Sequence, residues 1–209
     1  EARGYFETAL ARDRSNPAAL INLGTLYRGQ GQPARAESAY FAALPRIRGR
    51  GAGSLESSVY VNLADMDIEA ANWDGAIDHL VRARSLDSSV TVINNLGLAL
   101  AMGGRGAEAR SELAGGLARF PGHTHLLKNS GLAALKLGDF GAARDSLDRA
   151  LRLDPGFAAA LGLRAQVNAL AGDRESAKRD WENYLLLGPA AADRAGIESE
   201  LVRLGVVVK

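Results

Sequence analysis

Apolar residues recur along this chain at helical spacing, and the pattern itself repeats. Leu23-Gly24, Leu63-Ala64, Leu96-Gly97 and Ser130-Gly131 mark one point of the repeat, at intervals of 40, 33 and 34 residues. Twelve residues beyond each small residue stands an alanine: Ala36, Ala76, Ala109 and Ala143. Arg164-Ala165 and Ala177 continue the series. Four residues past each alanine comes a bulky apolar residue: Tyr40, Leu80, Leu113, Leu147 and Trp181. Spacings of four and twelve keep a residue on one helical face. A period in the mid-thirties with such spacings predicts stacked helical hairpins.

Punctuation agrees with that reading. Gly31, Gly104, Gly138 and Gly172 fall between the two helices of a unit, where a left-handed residue ends the first helix. Asp139 and Asp173 follow two of them as expected N-caps. Pro17 and Pro33 suit a first helical turn, and Pro121, Pro155 and Pro189 close three units. Residues 45–56 (PRIRGRGAGSLE) interrupt the order and predict a loop or a distorted helix end.

These residues resemble the tetratricopeptide repeat, a helix–turn–helix unit, over about nine tenths of the chain. The resemblance implies an all-α fold, a right-handed superhelical solenoid of antiparallel helix pairs. The units fall at 17–50, 57–89, 90–123, 124–157 and 158–191, with a short insertion at about 51–56. Residues 1–16 match the second helix of a further, incomplete unit, with Ala2, Phe6, Ala9 and Leu10 in register. Residues 192–209 form a capping helix and tail, with Ile197, Leu201 and Leu204 on one face and Val206-Val207-Val208 after it. Asp67 stands where the family uses Tyr or Leu, and Arg164 where it uses Leu, so the second and fifth units are the least regular.

Composition narrows the function. With 25 Lys+Arg against 24 Asp+Glu, the net charge of +1 gives no global drive toward nucleic acid. There is no cysteine, hence no disulfide, thiolate metal site or cysteine nucleophile. No apolar run is long enough to span a bilayer. His79, His123 and His125 are the only histidines, and the latter pair cannot share a helical face as zinc ligands do. Neither a nucleotide loop nor a nucleophile elbow is present. No catalytic residue, metal or cofactor is expected.

Charge is uneven, however. Residues 28–50 hold five arginines and one glutamate, whereas residues 54–78 hold six acids and no Lys or Arg. The two stretches could compensate each other. Alternatively Arg46, Arg48 and Arg50, on the interrupting segment, contact an acidic partner.

In the family, the first helix of each unit lines a concave groove. Carried over position by position, the groove receives Ile21, Thr25 and Arg28; then Val61, Asp65, Ile68 and Glu69; then Asn94, Leu98 and Met102. His125, Lys128, Leu132 and Lys136 follow, and finally Ala159, Gln166 and Leu170. The sixth position is Asn22, Asn62, Asn95 and Asn129 in four successive units and Leu163 in the fifth. An amide offers a donor and an acceptor together and can hold a peptide unit without reading its side chain. The row is similar to the asparagine ladder of peptide-holding family members. Asparagine is also common at this position for local reasons, and both readings stand. The carboxylate clamp of chaperone adaptors is not matched: Lys128 fits, but Leu132 replaces its asparagine.

The resemblance therefore implies a non-catalytic scaffold that binds a protein or peptide partner, an adaptor or assembly factor. The Ala-, Gly- and Arg-rich composition and the stretch from Asn94 to Leu100 are similar to repeat proteins of bacterial pilus and secretion systems. That favours a periplasmic or outer-membrane-associated location slightly over the cytoplasm. Two alternatives remain: a substrate-recruiting domain of a larger enzyme, and a scaffold that self-associates through its uncapped first helix.

Overall fold

A computed structural model of the chain describes residues 16–47, 49, 51–188, 190–203 and 205. The expectations for residues 1–15, Arg48, Arg50, Pro189, Leu204 and Val206–Val208 lie outside these. Eleven α-helices occur among the described residues. They are α1 (Pro17–Gly29), α2 (Pro33–Ala43), α3 (Ala52–Glu69), α4 (Trp73–Leu86) and α5 (Val90–Met102). Then follow α6 (Gly106–Arg119), α7 (Thr124–Lys136), α8 (Phe140–Leu153), α9 (Ala158–Leu170), α10 (Arg174–Leu186) and α11 (Ala191–Arg203). The chain divides into two compact units, one reaching Ala99 and the other beginning at Leu100.

Each hairpin is made by the small and bulky positions of the sequence pattern. Ala36, Ala76, Ala109, Ala143 and Ala177 are all wholly buried. The bulky residue one turn further on is buried with each of them, from Tyr40 and Leu80 to Trp181. The opposing small residue sets the approach distance. A Cβ at Gly24 would lie 2.5 Å from the Tyr40 ring, and one at Gly131 would lie 2.7 Å from Leu147 Cγ. In the first unit Ile21, Leu23, Tyr27, Tyr40 and Ile47 join Val59 and Leu63 of the next hairpin in one cluster. In the second, Leu127, Leu147, Leu151, Leu161 and Val167 do the same. Ile197 and Leu201 of α11 then close the end of that unit against Ala165 and Trp181.

The helix ends follow the expected chemistry. Asp139 and Asp173 cap α8 and α10, accepting from Ala142 and Ser176 amides at 3.0 and 3.1 Å. Asn16, Asn72 and His123 cap three others through their side chains. Pro17 and Pro33 begin α1 and α2, and α6 and α8 stop just before Pro121 and Pro155.

Residues 52–56, read as part of a loop or a distorted helix end, are the first turns of α3, which runs 18 residues, so the extra length of this unit lies in a helix. Gly51, at φ 83°, turns the chain into this helix. Ala52 and Leu55 pack against the first core cluster, and that burial outweighs the poor helix propensity of Gly53. Before it, Leu44–Arg46 form a single 3-10 turn.

The turn between the helices of a hairpin uses a left-handed residue every time. Gly31, Gly104, Gly138 and Gly172 have φ between 68° and 83°. At the equivalent place in the second hairpin stands Ala71, at φ 54°. A side chain in this conformation costs about 1–2 kcal/mol. Ala71→Gly should therefore raise stability by about 1 kcal/mol in urea or thermal denaturation, although glycine substitutions ordinarily destabilise.

Candidate functional site

The first helices of the hairpins, α1, α3, α5, α7 and α9, carry the expected groove residues, and each unit arranges them differently. In the first unit they form one polar chain. Arg28 Nη1 on α1 reaches Asp65 Oδ2 on α3 at 3.4 Å, and its Nε lies 3.7 Å from Glu69 Oε1. Asn95 on α5 donates to the other oxygen of Asp65 at 3.1 Å and accepts from Asn94 at 3.3 Å. This places part of the basic stretch in direct compensation of the acidic one.

Burial pushes the Asp65 carboxyl above its ordinary value, a larger effect than the opposing pull of Arg28. Ionised Asp65 thus weighs against the folded state. Its contribution to stability is full below the unfolded pKa of about 3.8 and is lost as pH rises through the raised folded value. Asp65→Asn keeps an acceptor for Asn95 and removes the charge. It should be more stable than wild type at pH 7, with the difference vanishing at pH 3 to 4 in denaturation curves across that range.

The four asparagines are not equivalent. Asn22 is exposed, and Asn62 is half-buried on a cavity of about 330 Å³ rich in hydroxyls, among them Ser58, Ser89 and Thr91. Asn95 is engaged in the chain just described. Asn129, in the second unit, is 1% exposed. Its amide is therefore not displayed for a ligand. Leu98 and Met102 are half-buried, and Lys136 is exposed in the last turn of α7. Arg46 turns back to donate to the Ala42 carbonyl, which ties the one described arginine of the interrupting segment to its own helix end.

In the second unit the expected positions converge on a cavity of about 750 Å³. Lys128 and Leu132 of α7 line it, as do Ala159, Leu163, Gln166 and Leu170 of α9. Trp181 and Tyr184 of α10, and Ile197, Glu200 and Arg203 of α11, complete the walls. These α7 and α9 residues on the cavity wall are among the positions that the sequence pattern singled out. That pattern missed the contribution of α10 and α11, whose only signal was the apolar face of the capping helix.

Two further polar clusters occupy positions where this chain departs from the repeat pattern. Asp67 accepts from Asn72 Nδ2 at 2.7 Å and pairs with His79 Nδ1 at 2.8 Å. Twelve residues separate Asp67 from His79, and the same interval separates Asn168 from Asp180, which are bonded at 3.0 Å. Arg164 completes the second cluster. Its guanidinium holds buried Asp180 through two bonds of 2.9 and 2.5 Å and Asp148 through a third of 2.6 Å. Those bonds raise its own pKa further. The unusual Arg164 is thus a tie between α8, α9 and α10. Arg164→Leu, which restores the family's residue, leaves the Asp180 carboxylate buried and uncompensated and should cost about 3–5 kcal/mol. Adding Asp180→Ala should recover most of that loss in urea denaturation.

No group of metal-ligating side chains occurs among the described residues, and none of their helices is long and apolar enough to cross a membrane. The His123 and His125 rings lie 5.9 Å apart and tilted at a hairpin junction, with His125 4.8 Å from the Phe157 ring.

The fold is an all-α array of antiparallel hairpins built on a repeated pair of small residues. A family model for the tetratricopeptide repeat matches residues 1–52 and 129–195, more than half of the chain. The chain belongs to the tetratricopeptide repeat family. No match was found among curated proteins by sequence. Solved structures show the same fold. PilW, a widely conserved type IV pilus biogenesis factor, is 22% identical at a TM-score of 0.77, covering 90% of this chain and 85% of its own. PilF of Pseudomonas aeruginosa is 20% identical at 0.70, covering 93% and 86%. YrrB, a tetratricopeptide protein with an unusual peptide-binding site, is 18% identical at 0.65, covering 90% and 94%.

Proposed function

We propose that this protein is a non-catalytic scaffold that binds an extended segment of a partner protein on the faces of its first helices. The observation that carries the proposal is the convergence of the repeat's groove positions on cavities. Asn62 faces one in the first unit, and Lys128, Leu132, Ala159, Gln166 and Leu170 face another in the second. Exposed Asn22 and half-buried Asn62 offer main-chain recognition, each bond adding about 1 kcal/mol. The apolar walls near Leu132 and Leu163 supply the remaining affinity. As a family, such repeats serve protein–protein interaction. An adaptor or assembly role in a bacterial complex of the pilus or secretion type is supported by the likeness to PilW and PilF, a likeness of fold.

The test is affinity capture from cells that make the protein, comparing wild type with Asn22→Ala/Asn62→Ala. The double variant should stay helical by circular dichroism and lose the partner. Retention of every captured partner would sink the assignment of these amides. Asn129→Ala should instead lower stability and leave capture unchanged in folded protein.

A further inference from the structure

We infer that the cavity between α7, α9, α10 and α11 takes an apolar peptide segment carrying one acidic side chain, whose carboxylate pairs with Lys128. This deepens the proposed function and rests on it.

Three observations point there. The first is shape and lining. At about 750 Å³ the cavity accommodates several side chains, and Leu132, Leu163, Leu170 and Ile197 make it mostly apolar. Leu170 is 62% exposed on this wall and would be covered by a ligand seated in the cavity.

The second is charge. Lys128 is half-buried on this wall, and burial alone holds its ammonium below the ordinary lysine range. Among the described residues no carboxylate lies within ion-pair distance of it. Glu200, the acid among the described residues that line the cavity, is already held by Arg203 at 2.9 Å. Two cations therefore face one paired carboxylate, and the unspent charge is that of Lys128. A desolvated ammonium gains strongly from an incoming carboxylate, because the cost of removing its water has already been met in the folded protein.

The third is the rim. Gln166 is exposed at the edge and offers an amide that bonds a peptide unit. This favours a peptide over a fatty acid, which would satisfy the apolar wall and Lys128 but leave nothing for Gln166. The back wall is equally specific. Ile197, Glu200 and Arg203 come from the capping helix, so the site belongs to the terminal hairpin and its cap.

Selection of random short peptides displayed on phage tests the idea, using the whole chain as wild type, Lys128→Met and Lys128→Glu. Lys128→Met keeps the length of the side chain and is expected to fold. Circular dichroism checks both variants, and if Lys128→Glu fails to fold, Lys128→Met decides. Wild type should enrich sequences with Asp or Glu between apolar residues. A synthetic peptide from that set should bind Lys128→Met about tenfold more weakly and Lys128→Glu more weakly still. Its Glu→Gln form should show no preference between wild type and Lys128→Met.

Enriched peptides without an acid, or affinity indifferent to Lys128, would overturn the inference. So would failure to enrich any peptide, or stoichiometric binding of dodecanoate without peptide binding. Peptides that respond only to Asn22→Ala/Asn62→Ala would overturn it while leaving the proposed function standing. Absence of both enriched peptides and a captured partner would remove both.

Discussion

The close approach of two helices at a small residue is the constraint on which the rest of this structure depends. Gly24 and Gly131 leave no room for a methyl group, and the facing alanines are wholly buried. Once the backbones are that near, one turn further along there is space for a single large side chain, from Tyr40 to Trp181. Those side chains then make the surface on which the next hairpin packs. These three positions recur in every hairpin, while the residues around them differ from unit to unit. The loop glycines, caps and prolines refine the ends of helices whose pairing is already set.

Through that variation polar residues enter the array. Asp67 and Arg164 occupy positions that the family fills with apolar side chains. Neither breaks its hairpin, because a partner on another helix meets each: His79 for Asp67, and Asp180 with Asp148 for Arg164. A buried charge is tolerable when paired and hydrogen-bonded, and Asn168 adds a further bond to Asp180. Asp67 lies twelve residues from His79, as Asn168 does from Asp180, whereas Arg164 lies sixteen from both Asp148 and Asp180.

Much of this was legible in the residues alone. The small, alanine and bulky positions give the hairpins, and the turn glycines give the helix boundaries to within a residue or two. The segment after α2 was not legible. Gly49, Gly51 and Gly53 read as a loop or a distorted helix end, yet Leu55 packs against the core and residues 52–56 are helix. Local propensity cannot show what a side chain will meet. The asparagine row illustrates the same limit. Four identical residues at one repeat position look like one device. Yet Asn22 is exposed, Asn95 is spent on Asp65 and Asn129 is buried, each decided by a neighbouring helix. The equivalence of Asp67–His79 with Asn168–Asp180 could have been read from the shared interval, since all four residues depart from the repeat in register.

The two units spend their polar groups differently, and this difference bears on recognition. In the first, Arg28, Asp65, Glu69 and Asn95 satisfy one another, so a ligand that approaches them must break existing bonds to make new ones. The net gain of such an exchange is small, as for any hydrogen bond traded against an equivalent one. Under the proposed function, specificity there would fall to Asn22 and to the hydroxyl-rich cavity beside Asn62. In the second unit the internal pairs are complete on one side, through Arg164 and Asp180, while on the other, at Lys128, no ion pair forms among the described residues. An unpaired, partly desolvated charge beside apolar walls is the arrangement in which a matching ligand gains most, because folding has already met the cost of exposing that charge to the cavity rather than to water. Repeat geometry gives both units the same kind of helix face; on the proposed function, the polar groups that the fold leaves unsatisfied would decide where a partner is read.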